Sequence, residues 1–210
     1  MNSEIKLAIG IIAATFLIVL GATLFSGGGS QPPATPDQPV AAEVLVRSDS
    51  HTLGPQDAKV TVVEFSDFEC PACKEAEPTV EQILAKYKDK IRFVYRHFPL
   101  PQHTDAFAAA EAAEAAALQG KFWEMHNLLF EKSPALSMDD LKTYAKDLGL
   151  NTEKFNKDLD SDAVRQRVLA DQADGNKAGI SATPTFFING TRFTGGLTLN
   201  EFSKEIDSRL

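Results

Sequence analysis

The chain is predicted to be an α/β protein in which a β-α-β unit and a C-terminal β-β-α unit build one sheet, with a block of helices inserted between them. Three observations predict this. Lys59 to Phe65 and Ile91 to Phe98 are short runs rich in β-branched and aromatic residues, separated by a stretch with apolar residues at helical spacing. Roughly seventy-five residues of helical pattern follow. Thr185 to Asn189 then reads as a core strand whose Asn189-Gly190 end is a strong hairpin signal.

In chain order, Leu7 to Phe25 comes first, an uncharged run of nineteen residues. That length just spans a hydrocarbon core as a helix, which needs about twenty residues. Lys6 precedes the run and no Lys or Arg follows until Arg47, so the rule of positive residues inside puts residues 1–6 in the cytoplasm and the remainder outside. A cleaved signal peptide is the alternative, but no small-x-small cleavage site stands out. Ser26 to Ala42 reads as a linker, flexible at its glycines and stiffened toward an extended form by Pro32, Pro33, Pro36 and Pro39.

The folded domain is expected over 43–210. Glu43 to Arg47 alternates apolar and polar residues and is expected as a short edge strand. After the first strong strand, Val80, Ile83, Leu84 and Tyr87 give a helix one apolar stripe, and the second strand then implies a parallel pair with a right-handed crossover. Pro99 to His103 stops that strand. The helical block, about 103–178, opens with the alanine-rich Phe107 to Leu118, expected as a closely packed helix whose glutamates Glu111 and Glu114 mark a wet face. Lys121 to Glu131 is apolar on more than one face and is expected to be buried, with Phe122 and Trp123 as core residues. Ser137 with Asp140, and later Thr198 with Glu201, have the spacing of helix-opening capping pairs.

Composition excludes some functions. A formal charge of −8 argues against binding nucleic acid through its phosphates. Two cysteines cannot form a disulfide framework, so the fold rests on its hydrophobic core and the cysteines are free for chemistry. Cys70 and Cys73 lie two residues apart where a strand gives way to a helix, the signature of a thioredoxin-like redox site. Cys70 is expected as the helix N-cap with Pro71 in the first turn, facing unpaired N–H groups and the positive end of the helix dipole, which stabilise a thiolate. Zinc binding would need two further ligands, and nothing pairs His97 with His103 for that purpose. Glu64, six residues before Cys70 on an apolar strand, is expected to have a raised pKa and to relay a proton to or from Cys73; a strand-end carboxylate reaching water is the alternative. For His97 and His103 packing or capping is weighed against a catalytic role, and His51 and His126 are expected at the surface or on a helix face.

Three stretches together resemble the DsbA-like thiol-disulfide oxidoreductases. They are Val-Glu-Phe-Ser-Asp-Phe-Glu-Cys-Pro-Ala-Cys (63–73), Tyr-Arg-His-Phe-Pro-Leu-Pro-Gln-His (95–103) and Gly-Ile-Ser-Ala-Thr-Pro-Thr-Phe-Phe-Ile-Asn-Gly (179–190). The resemblance covers about 54–210 and implies a thioredoxin fold with an inserted helical subdomain, here preceded by one transmembrane helix. It implies a Cys70–Cys73 redox disulfide with Cys70 as the attacked sulfur. It also implies a cis Pro184 facing the cysteines, with Pro71, Ala72 and Thr183 touching the substrate. No metal and no cofactor is implied. Relatives with histidine at the position of Ala72 are strong oxidants, so Ala72 implies a weaker one, with a potential away from the roughly −120 mV of a strong oxidase.

The function expected is an extracytoplasmic oxidase that introduces disulfides into reduced, exported client proteins and is recycled by a membrane thiol-oxidising partner. A reductase or isomerase acting on the same clients is the alternative, and a non-redox holdase with this fold is a further one.

Overall fold

The computed structural model describes residues 39–210. The expected anchor at 7–25 and most of the expected linker lie outside the described residues. Among the described residues no helix is long and apolar enough to cross a membrane.

The fold reaches back into the end of the expected linker. Val40 donates its N–H to Gly190 O at 2.8 Å. Helix α1 (Ala42–Leu45) then stands where an edge strand was expected at 43–47. The alternation of Glu43 to Arg47 is genuine, but only Leu45 is buried, and the carbonyls of Val44 and Leu45 are taken by a side chain rather than a neighbouring strand. The edge strand is instead β1 (His51–Leu53), antiparallel to β3 (Ile91–His97).

Strand β2 (Val60–Ser66) lies at the centre, parallel to β3 and antiparallel to β4 (Thr185–Ile188), with β5 (Thr191–Arg192) at the far edge. The order is β1-β3-β2-β4-β5. Asn189 and Gly190 both have positive φ, 48° and 86°, as a two-residue hairpin turn of this hand requires.

Because side chains alternate across a strand, β2 divides into two faces. Val60 and Val62 join one core with Phe93, Tyr95, Phe186 and Ile188, covered by α2 (Pro71–Tyr87), α8 (Leu199–Asp207), and the helices α3 (Ala106–Ala117) and α4 (Phe122–Lys132). Val63 and Phe65 join a second core with Val94, Phe98, Phe187 and Leu45. The side chains of Phe98 and Phe187 meet the Phe65 ring edge-on. Helix α7 (Asp162–Lys177) covers this side closely: a Cβ on Gly175 would fall 2.5 Å from the Phe98 ring.

Helices α5 (Met138–Asp147) and α6 (Thr152–Leu159) complete the inserted block. Ser137 and Asp140 close a reciprocal capping box, whereas at α8 only the Thr198 half forms. Glu201 instead turns its carboxylate to the N–H of Gly196. Helix α3 has no wet face at Glu114. Eight of its residues are buried, Glu114 among them, and Glu114 Oε1 bonds His97 Nε2 at 2.9 Å and His51 Nε2 at 3.0 Å. His51 is accordingly no surface residue, its ring stacking on Phe122 at 3.4 Å, and His126 is buried among aromatic rings. Burial pulls the His126 pKa down to about 4.

On the other face of β3, Arg96 is fully buried. Its guanidinium bonds Asp171 at 2.8 Å, Asp174 at 2.9 Å and the carbonyls of Val44 and Leu45. One cation thus fastens α1, β3 and α7 together, and its charge is matched by two carboxylates, as burial demands.

Candidate active site

Strand β2 delivers the chain to Ser66, and a three-residue loop, Asp67 to Glu69, turns it into α2. Asp67 holds that loop. Its carboxylate is fully buried and accepts the N–H groups of Glu69 and Leu100, both at 2.8 Å, and His103 Nδ1 at 2.7 Å. Its main-chain oxygen accepts the N–H of Cys70 at 3.1 Å. The turn is therefore fixed to the Pro99–His103 stretch before the cysteines begin.

Cys70 is the N-cap of α2 and Pro71 follows at the first turn, where its missing N–H is harmless. Pro71 and Ala72 are exposed, and the two thiols are free. Among the described residues no backbone N–H closes a full hydrogen bond on the Cys70 side chain, and the amides of Cys73 and Ala72 favour its anion from nearby. The largest influence is a hydrogen bond from the Cys73 thiol, and with Thr183 it outweighs burial and brings Cys70 down to about 5 from an ordinary 9. Cys73, one turn deeper and 0 % exposed, is pushed far up, first by burial and then by the anion it faces at Cys70. The two sulfurs are thus unequal by construction: one ready to ionise, the other held protonated.

From the far side, Thr183 closes the site. The Thr183–Pro184 peptide is cis, and the Cys70 thiol donates to Thr183 O at 3.5 Å. Thr183 Oγ1 is buried without a partner among the described residues, and it favours the Cys70 anion. These residues stand 113 positions apart in the chain and meet only because β4 pairs with β2.

Glu64 lies on β2 on the same face as Val62, in register with Tyr95 and Phe186. It is 0 % exposed and neither carboxylate oxygen has a partner among the described residues, so it is not a strand-end group reaching water. Burial first, and then the charge of Glu77, push its pKa up to about 8. At neutral pH such a group is protonated and able to give a proton. Its charge, when present, also raises Cys73.

Sequence reasoning missed Glu77. It stands four residues after Cys73 on α2, with one oxygen buried and unpartnered. Burial and then Glu81 raise it to about 7. It lines a cavity of about 320 Å³ with Lys74, Pro78, Glu81, Asn127, Phe130 and Glu131. The i, i+4 spacing from Cys73 was the available signal. His97 and His103 are drawn to different carboxylates, Glu114 and Asp67. Among the described residues no three His, Cys, Asp or Glu side chains form a group that could hold a metal ion.

The chain matches the Thioredoxin family model over residues 47–208. It is similar to the sodium/proton antiporter NhaA 3 of Salinispora tropica, 44 % identical over 159 residues, covering 75 % of this chain and 24 % of that protein. It is also similar to NhaA 1 of Mycolicibacterium vanbaalenii, 40 % identical over 194 residues, 89 % of this chain and 31 % of that one. The chain thus spans about a quarter to a third of the length of these curated relatives. Among solved structures, a thioredoxin-like oxidoreductase from Silicibacter pomeroyi superposes with a TM-score of 0.72 at 28 % identity, covering 80 % of this chain and 97 % of that one. Oxidised BdbD from Bacillus subtilis gives 0.71 at 27 %, covering 85 % and 98 %. The thiol-disulfide exchange protein α-DsbA2 from Wolbachia pipientis gives 0.71 at 21 %, covering 79 % and 90 %, a likeness of fold.

Proposed function

Because this chain belongs to the thioredoxin family, we propose that it is a DsbA-like thiol-disulfide oxidoreductase acting as an oxidase of exported proteins through Cys70 and Cys73. The observation that carries this reading is the unequal pair: Cys70 at a helix N-terminus against the Thr183 carbonyl, and Cys73 fully buried one turn on.

In the oxidised protein a client thiolate attacks Cys70 Sγ, and the Cys70–Cys73 bond breaks. Its electron pair leaves on Cys73, which takes a proton; Glu64, protonated at neutral pH, is the donor assigned to it. The client's second thiolate attacks its own sulfur in the mixed disulfide, which expels Cys70 as a thiolate. The client has lost two electrons and gained a disulfide, and the protein has become a dithiol. The thiolate stability of Cys70 drives the second step, since it makes Cys70 a good leaving group there, and it favours the reduced form overall. Against an ordinary thiol, a pKa near 5 stabilises the reduced state at pH 7 by roughly a hundredfold, about 60 mV for a two-electron couple. That bias supports oxidase over reductase.

An acceptor must then remove two electrons from the dithiol. A membrane thiol-oxidising partner is the proposed one, and the apolar run at 7–25 would keep the domain within its reach, on the outer side of the membrane. The curated relatives are named antiporters, and a domain of this kind carried within a transporter fits work at a membrane. Antiport itself is not proposed for this chain, whose matched portion carries the thiol pair.

The test is the redox state of the protein in its own cells, trapped by acid and a thiol-alkylating reagent. A mostly oxidised Cys70–Cys73 pair is expected; a mostly reduced pair would replace this reading with a reductase or isomerase. Cys70→Ser separates both from a holdase, which would keep its full effect on client aggregation.

A further inference from the structure

The residues between the two cysteines, Pro71 and Ala72, bring no charge and no side-chain donor to the site. Lys74, the cation in the first turns of α2, is turned away: its ammonium bonds the carbonyls of Glu131, at 3.2 Å, and Ser133. The one basic side chain bonded to the cysteine loop among the described residues comes from elsewhere. His103 ends the stretch that follows β3, its N–H bonded to Leu100 O and its Nδ1 to the buried Asp67 carboxylate at 2.7 Å.

Asp67 makes this more than a packing contact. The same residue that holds the His103 ring with its side chain holds the Cys70 N–H with its main-chain oxygen. The His103 ring and the Cys70 backbone are therefore held by one residue. A carboxylate accepting at Nδ1 fixes that nitrogen as a donor and stabilises the imidazolium. The ring is only 18 % exposed, so its charge is partly shielded from water. Burial opposes protonation, yet Asp67, with the charges of Cys70 and Glu69, raises the pKa above the ordinary 6.5. That influence is mutual: if the Cys70 anion holds the His103 proton, the His103 charge holds the Cys70 anion.

We propose that His103, clamped by Asp67, is a positioning residue that supplies from the Pro99–His103 loop the positive charge which the residues between the cysteines lack. The site then makes its thiolate with a histidine brought in by tertiary structure, and its oxidising strength depends on that loop. The inference rests on the disulfide-exchange reading of Cys70. The charged groups bearing on His103 are Asp67 and Glu69 from the β2–α2 loop and Cys70 from α2. Its contribution is present while the imidazole is protonated and is lost as pH rises through its titration.

The test uses the chain with Cys70 and Cys73 either reduced or oxidised. Histidine resonances are followed by NMR against pH in both states, with His103 assigned by through-bond experiments. His103 is expected to bind its proton about three- to tenfold more tightly in the reduced protein. His103→Gln, which keeps a donor for Asp67, is then equilibrated with glutathione buffers at pH 6. The expected result is a three- to tenfold shift toward the disulfide form, with Cys70 alkylation moved to higher pH, and a gap that narrows above the His103 titration. An identical His103 titration in both redox states of the wild type overturns the proposal, whether or not the variant folds. An unshifted glutathione equilibrium in a folded variant does the same. A wild type that does not exchange with glutathione at all fails differently, by removing the oxidoreductase reading itself.

Discussion

Replacing Glu64 by glutamine should make the protein more stable at neutral pH and slower in its redox step. In the wild type the folded-state carboxyl titrates near 8, because it is buried without a partner and faces Glu77, while an exposed one titrates near 4.5. Between those values the native protein holds a proton that the unfolded chain has released. Stability therefore falls as pH rises, by about 1.4 kcal/mol for each pH unit. At pH 7 the accumulated loss is of order 3 kcal/mol, reduced by whatever relaxation admits water. Glutamine has the same shape and no proton to lose, so Glu64→Gln should match the wild type near pH 4 and exceed it increasingly up to about pH 8. Urea denaturation of the oxidised proteins across that range measures it, with the cysteines kept out of the titration. Stopped-flow reduction by a dithiol should show a slower release of Cys73, with the deficit restored by small acids in the buffer. Parallel stability curves from pH 4 to pH 8 would refute the reasoning, since they would mean that Glu64 is ionised and solvated in the native state.

Three further outcomes follow from the same geometry. Thr183→Val removes the hydroxyl that favours the Cys70 anion, so Cys70 alkylation at pH 5 should slow about tenfold, with folding intact by circular dichroism. Ala72→His adds a donor between the cysteines and should raise the reduction potential by about 30 mV or more in glutathione buffers. Arg96→Met leaves Asp171 and Asp174 without their shared partner. It should cost about 3–5 kcal/mol in denaturant unfolding, toward the lower end because Arg167 and Lys177 still pair with them.

Local chemistry made much of this legible in the sequence. Strand periods, caps and the Asn189-Gly190 turn depend on residues a few positions apart, and so do the N-cap placement of Cys70 and the burial of Glu64 on β2. What escaped depends on partners far along the chain. Glu114 looked like the wet face of α3 because nothing in a run of alanines announces that His51 and His97 arrive from β1 and β3 to meet it. Glu43 to Arg47 alternates as a strand does, yet a strand needs a neighbour, and the carbonyls there are claimed by Arg96 instead. Local sequence leaves packing, capping and catalysis all open to His103, and its bond to Asp67 crosses 36 positions. Thr183 and Cys70 were brought together beforehand only by resemblance to a family, since spacing carries no information across 113 residues.

The fastening of α1 behind the sheet has a mechanical consequence. Traction applied to the chain from residue 39 is borne by the Val40–Gly190 hydrogen bond and by the grip of Arg96 on Val44 and Leu45, all remote from α2. The load passes into β3 and α7 through the ion pairs with Asp171 and Asp174. The bonds that would take up a pull arriving at residue 39 are therefore distinct from those that hold Cys70, which come from Asp67 and Thr183.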